Sequence, residues 1–130
     1  MTDGEKLAWA AGFFDGEGCV AVANGNSLYM SAAQIDRTPL DQLTEILGGK
    51  VYGPRYPSRE GRRPIFEWKL TTHHNVVRAL RCLLPFLTCK HAQATLAMTF
   101  PICAKGERIT GEMHIERIVI DAQLRALKKL

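Results

Sequence analysis

The residues best placed to do chemistry are Asp15-Gly16-Glu17-Gly18, two carboxylates that follow directly on the apolar run Leu7-Ala8-Trp9-Ala10-Ala11-Gly12-Phe13-Phe14. Residues 5 to 15 are apolar nearly all round, which suits a buried helix, and Gly16 and Gly18 are expected to end it. A carboxylate at the C-terminal end of a helix is repelled by the negative pole of the helix dipole, and a bound cation relieves that repulsion. Glu17 is therefore a candidate metal ligand. Gly12 and Gly16 stand four apart on one helical face, so a second helix can approach them backbone to backbone.

Charge and composition point the same way. The chain has 130 residues and carries 17 Lys and Arg against 13 Asp and Glu, a net charge of +4 that favours partners bearing phosphates. Arg59, Arg62 and Arg63 crowd one polar stretch, Pro57 to Arg63. No apolar run reaches the roughly 20 residues that span a bilayer, and Met1-Thr2-Asp3-Gly4-Glu5 lacks the basic start of a signal peptide. An intracellular protein with no membrane partner is expected. Cys19, Cys82, Cys89 and Cys103 form no C-x-x-C pair, which argues for buried free thiols over zinc or disulfides. His73, His74, His91 and His114 have structural or surface roles on the same reasoning.

Several elements must position these groups. The stretch from Cys19 to Ile35 is small or β-branched and broken by Asn24-Gly25-Asn26, which predicts a hairpin. Thr38 as N-cap and Pro39 at the first position open a helix with an apolar stripe of Leu40, Leu43, Ile46 and Leu47, stopped by Gly48-Gly49. A second hairpin runs from Lys50 to Tyr56 and from Pro64 to Thr71, with Phe66, Trp68 and Leu70 alternating with Glu67 and Lys69. Helices follow from about 72 to 84, from 90 toward 104 and from Gly111 onward. The order is αββαββα with two helical additions, an α+β fold with its helices on one face of an antiparallel sheet. Residues 1–130 are expected to form a single domain.

The segment Ala10-Ala11-Gly12-Phe13-Phe14-Asp15-Gly16-Glu17-Gly18 resembles the LAGLIDADG motif of the homing endonucleases. It departs from that motif at Ala10, Phe13, Phe14, Gly16 and Glu17, the last an acid for an acid. The order of elements resembles the family over about residues 7 to 100. The resemblance implies a saddle-shaped sheet that lies along the major groove of double-stranded DNA. It implies a dimer whose motif helices form the interface, through Ala8, Ala11, Gly12, Asp15 and Gly16. It also implies that Glu17 binds the catalytic Mg²⁺ or Mn²⁺, with the Gly16 carbonyl as a neighbouring ligand, and that both strands are cut across the minor groove to leave short 3-prime overhangs. A carboxylate suits such a hard ion.

Lys90, in Phe86-Leu87-Thr88-Cys89-Lys90-His91-Ala92, resembles the lysine that family members carry after the helix that follows the second hairpin, where a cation stabilises developing charge. Gln34 and Arg37 are candidates to organise solvent around the scissile group. By strand alternation the DNA-facing set is Ala21, Ala23, Leu28, Met30, Ala32 and Gln34, opposite Val20, Val22, Tyr29 and Ile35. Stronger base readout is expected from Lys50, Tyr52, Glu67 and Lys69, with Arg55 as the alternative to Tyr52, and from Arg59, Arg62 and Arg63 at the hairpin tip.

One motif copy serves one strand. Cutting two strands thus requires two chains related by a two-fold axis, and a pseudo-palindromic target. The family is encoded by mobile elements, active in intron or intein homing, so the expected setting is a prokaryotic or phage-infected cytoplasm or nucleoid, or an organelle matrix. The competing reading keeps the fold and drops the cutting, as an RNA maturase or a DNA-binding regulator.

Overall fold

The computed structural model describes residues 1–58, 60–104 and 106–129. Helix α1 spans Asp3–Glu17 and is started by a capping box: the Thr2 hydroxyl accepts from the Glu5 amide at 3.1 Å and the Glu5 carboxylate accepts from the Thr2 amide at 3.2 Å. The helix does not stop at Asp15. Gly16 and Glu17 are helical, and Gly18 closes it by donating its amide to the Phe14 carbonyl.

Four strands follow in two hairpins, β1 (Gly18–Ala23) with β2 (Ser27–Gln34), and β3 (Lys50–Arg55) with β4 (Ile65–Leu70). Asn24 and Gly25 turn the first hairpin at φ 53 and 71, the positive values a tight primed turn requires. The strands form one antiparallel sheet in the order β1-β2-β4-β3. Between the hairpins lies α2 (Thr38–Leu47). Its N-cap is Arg37 and not Thr38, because the Asp36 carboxylate accepts from the Thr38 amide at 2.9 Å and draws Thr38 into the first turn.

After the sheet come α3 (His73–Leu83), a 3-10 turn at Leu84–Phe86, α4 (His91–Ala97) and α5 (Gly111–Leu127), the last capped by Thr110. The fourth helix is far shorter than the stretch to Ala104 expected of it. The αββαββα order with two added helices is otherwise as expected, and the helices cover one face of the sheet.

That face carries Val20, Val22, Leu28, Met30, Ala32, Trp68 and Leu70, all buried against Ala10, Ala11 and Phe14 of α1, Leu40 and Leu43 of α2, and Val76, Leu80 and Leu83 of α3. Burying each Leu or Val side chain contributes roughly 1.5–3 kcal/mol. Trp68 completes the layer, its indole N–H donating to the Gly48 carbonyl at 2.9 Å. Gly18 is fixed by the same packing, since a Cβ there would run into the Phe14 ring. None of the cysteines is buried as expected: Cys82 and Cys89 are exposed, Cys19 and Cys103 half-buried. Among the described residues no helix is long and apolar enough to cross a membrane.

Candidate functional site

The end of α1 is where the sequence's chemical residues meet. Glu17 and Gly16 are exposed there, the last turn carries no basic residue, and a helix leaves its final carbonyls without intrahelical donors. Glu17 makes no ion pair among the described residues. A carboxylate oxygen and a carbonyl oxygen at a negative helix pole suit a hard divalent cation. Among the described residues no three His, Cys, Asp or Glu side chains converge as metal ligands.

Lys90 reaches the same end from the turn before α4. Its Nζ donates to the Asp15 backbone carbonyl at 2.6 Å and lies 6.0 Å from the centre of the Phe14 ring, while its amide donates to Asp15 Oδ1 at 2.9 Å. The Thr88 amide donates to Asp15 Oδ2 at 2.8 Å. The Asp15 carboxylate thus fastens the 88–90 turn to α1, and the residue is half-buried. Ala11 leaves the expected interface, because it is wholly buried in the chain's own core. Ala8, Gly12 and Gly16 stay exposed in one stripe, and a Cβ added at Gly12 or Gly16 meets nothing within 4 Å. Trp9 and Phe13 stack along that stripe's flank, their rings 5.5 Å apart.

Gln34 and Arg37 occupy the same end of the sheet as Glu17, since Gly18 pairs with Ala32, two residues before Gln34. Gln34 pairs with Phe66 on the helix side of the sheet. Arg37 is committed within its own helix start, its Nε donating to Asp41 at 3.0 Å with the guanidinium 5.8 Å from the Phe66 ring. No hydrogen bond joins either residue to Glu17 or Lys90 among the described residues.

Strand register decides which side chains face outward, and it corrects the expected set. Val20 pairs with Met30 and Val22 with Leu28, so Leu28, Met30 and Ala32 lie on the core side, and Gln34 shares that side. The open face carries Cys19, Ala21 and Ala23 with Tyr29, Ser31, Ala33 and the exposed Ile35. The error had one cause. The three-residue turn shifts the phase of β2 by one, and a shift of one exchanges the two faces of a strand. Ser31 and Tyr29 were therefore missed as outward residues. The pairing Ala21 to Tyr29 across the turn is the signal that finds them.

The second hairpin stands as expected. Lys50 pairs with Lys69, Tyr52 with Glu67 and Arg55 with Ile65, all on the open face. A register shift between Tyr52 and Arg55 lets both residues face outward. Lys69 lies 3.7 Å from Glu67 and 5.6 Å above the Tyr29 ring. Arg62 and Arg63 are exposed at the hairpin tip; Arg59 lies outside the described residues.

The fold matches solved structures. The homing endonuclease I-CvuI, in complex with the I-CreI target in the presence of Mg, aligns with a TM-score of 0.76 at 23% sequence identity, over 96% of this chain and 83% of that one. The archaeal intron-encoded homing endonuclease I-Vdi141I, complexed with DNA, gives 0.74 at 17% identity over 95% and 84%. The LAGLIDADG meganuclease I-AabMI, bound to uncleaved DNA, gives 0.66 at 21% identity over 89% of this chain but only 43% of its own. The fold is that of the LAGLIDADG homing endonucleases. Comparison with protein-family sequence models and with curated protein sequences gives no match.

Proposed function

We propose that this chain, which has the LAGLIDADG homing-endonuclease fold, is half of a homodimeric enzyme that cuts both strands of a long pseudo-palindromic DNA site and depends on a divalent metal. One observation carries the reading: the exposed Glu17 carboxylate and the Lys90 ammonium are delivered to one helix end by elements far apart in sequence, beside an uncovered Ala8-Gly12-Gly16 stripe. The I-AabMI alignment, which leaves more than half of that chain unmatched, supports a second copy as the missing half.

In the dimer the two stripes pack across the axis and bring Glu17 of each protomer together. Glu17 and the Gly16 carbonyl from both chains would hold Mg²⁺ or Mn²⁺, which supplies an activated water and neutralises charge on the phosphoryl oxygens. Lys90, held at the Asp15 carbonyl, presents its remaining N–H donors toward the scissile phosphate and stabilises the charge that builds there. The open sheet face follows the major groove. Tyr29, Ser31, Lys50, Tyr52, Arg55, Glu67 and Lys69 contact base edges, while Arg62 and Arg63 hold phosphates. Short 3-prime overhangs follow from cutting across the minor groove between the two sheets.

The test is selection from a randomised duplex library, with Mg²⁺ and with chelator. Metal-dependent recovery of one long pseudo-palindromic site with 3-prime overhangs is the expected result. Enrichment of bound but intact duplex would replace the enzyme by a non-cleaving regulator or maturase.

A further inference from the structure

Helix α5 has two apolar faces. One, with Ile120 and Leu124, is buried where the helix packs on α4 and β1. The other carries Ile115, Ile118, Val119, Ala122 and Ala126, all exposed. Its three large side chains are 62%, 53% and 46% exposed in that order. At 3.6 residues per turn these five positions fall within about 100° of the helix circumference, directed away from Ile120 and Leu124, and no charged residue of the helix shares the sector. The outer face of a surface helix is ordinarily polar, so an uncharged stripe of this kind marks an interaction surface. A groove of about 490 Å³, lined by Leu96, Gln123, Ala126 and Leu127, borders its C-terminal half.

We propose that this stripe pairs with the same stripe of a second copy of the chain, the two α5 helices running antiparallel about a two-fold axis near the middle of the stripe. Two gradients along the helix favour that occupant and that direction. The large side chains Ile115, Ile118 and Val119 come first and the small Ala122 and Ala126 come after, beside the groove. An antiparallel pair therefore sets bulk against space along its whole length. The exposed acids Glu112 and Glu116 lie in the first turns, while every exposed charged side chain from Arg125 on, namely Arg125, Lys128 and Lys129, is basic. Antiparallel packing brings each acidic end to the partner's basic end and opposes the helix dipoles, whereas parallel packing sets like against like. The result is an isologous contact, the same patch on both chains. The stripe lies on a different helix from Ala8, Gly12 and Gly16, so the inference goes beyond the endonuclease reading and is independent of it. One helix pair buries less than the roughly 1,200 Å² of a standard interface, so pairing through α5 is weak and shows only as concentration rises.

The experiment is sedimentation of the full chain from about 1 µM to about 500 µM, the range in which a weak pair forms. Wild type should grow beyond its low-concentration mass at the upper end. Gly12→Leu, which keeps one α5 stripe per particle and loses the α1 contact, should there reach twice its own low-concentration mass and stop. Ile115→Glu/Val119→Glu puts carboxylates from both chains into the paired stripes and should abolish this growth in either background, with the circular dichroism of the fold unchanged because both side chains are exposed. Ala122→Arg, in the small half, should do the same. No growth in wild type, or growth that survives both sets of variants, overturns the pairing and leaves the α1 dimer and the endonuclease reading standing. Wild type that keeps its low-concentration mass yet floats with phosphatidylglycerol vesicles, and no longer does so in Ile115→Glu/Val119→Glu, gives the stripe to a lipid surface and overturns the pairing as well. Mass that responds to the α5 variants and not to Gly12→Leu upholds the α5 pairing and removes the α1 dimer.

Discussion

Lys90 holds Asp15 twice, its ammonium on the backbone carbonyl at 2.6 Å and its amide on the carboxylate at 2.9 Å. Asp15 in turn anchors the Thr88 amide, so a single carboxylate sets where the candidate catalytic cation stands. Asp15→Ala leaves two amides without their charged acceptor. It should lower stability by about 1–3 kcal/mol in urea unfolding and slow single-turnover cleavage, with DNA affinity in Ca²⁺ little changed. Cleavage at the wild-type rate in Asp15→Ala would separate the position of Lys90 from its anchor.

Glu17→Gln removes the metal-binding charge and keeps the shape of the side chain. Because Glu17 is exposed and makes no ion pair among the described residues, the fold should be untouched. The variant should bind the selected duplex and fail to cut it at any Mg²⁺ concentration. Cutting that survives in Glu17→Gln would remove this residue from the mechanism.

Gly12 separates folding from assembly. A Cβ there meets nothing within the chain, and an alanine or leucine in a helix interior is favoured over glycine by up to about 1 kcal/mol. Gly12→Leu should therefore keep or raise the stability of the single chain while the two α1 helices are forced apart. Sedimentation should shift from dimer to monomer, and double-strand cleavage should fall together with dimer content. A Gly12→Leu dimer as tight as wild type would place the interface elsewhere.

The fold could be read in the sequence because its signals are local. The capping residues of α1, the Asn24-Gly25 turn, Pro39 and the alternation of Phe66, Trp68 and Leu70 each act within a few residues. The contact of Lys90 with Asp15 at the end of α1 was not legible locally, since 75 positions separate them and no periodicity carries such a contact. The face of β2 was misread because register passes through the turn, and a turn's residue count is not contained in the alternation of either strand.

That correction is itself testable. Met30 is wholly buried and Ser31 beside it faces outward, paired with Lys69. Met30→Ala should cost about 2–5 kcal/mol with the preferred target unchanged. Ser31→Arg should leave the unfolding midpoint nearly where it was and alter base preference at one position of each half-site. Library selection with both variants checks the pair, and the opposite assignment would return Met30 to the DNA-facing set.

His73 gives the chain a defined acid sensitivity. Burial, then the charges of Arg117 and His74, hold its imidazole below the ordinary value of 6.5, and its Nδ1 is buried without a partner. The folded state therefore prefers the neutral ring, while the unfolded chain takes up a proton at the ordinary value. Stability from this preference is complete above pH 6.5 and is lost as the pH falls from there through the lowered folded value. The carboxylates of Glu5 and Asp36, also lowered, by hydrogen bonds from Thr2 and Thr38, act in the same direction at more acid pH, below their ordinary values of 4.5 and 3.8. Thermal unfolding followed across this range should show a first loss of Tm just below pH 6.5 that His73→Phe abolishes, and a second, carboxylate loss that it retains. Identical profiles for wild type and His73→Phe above the carboxylate range would mean that the ring is protonated in the fold at no cost.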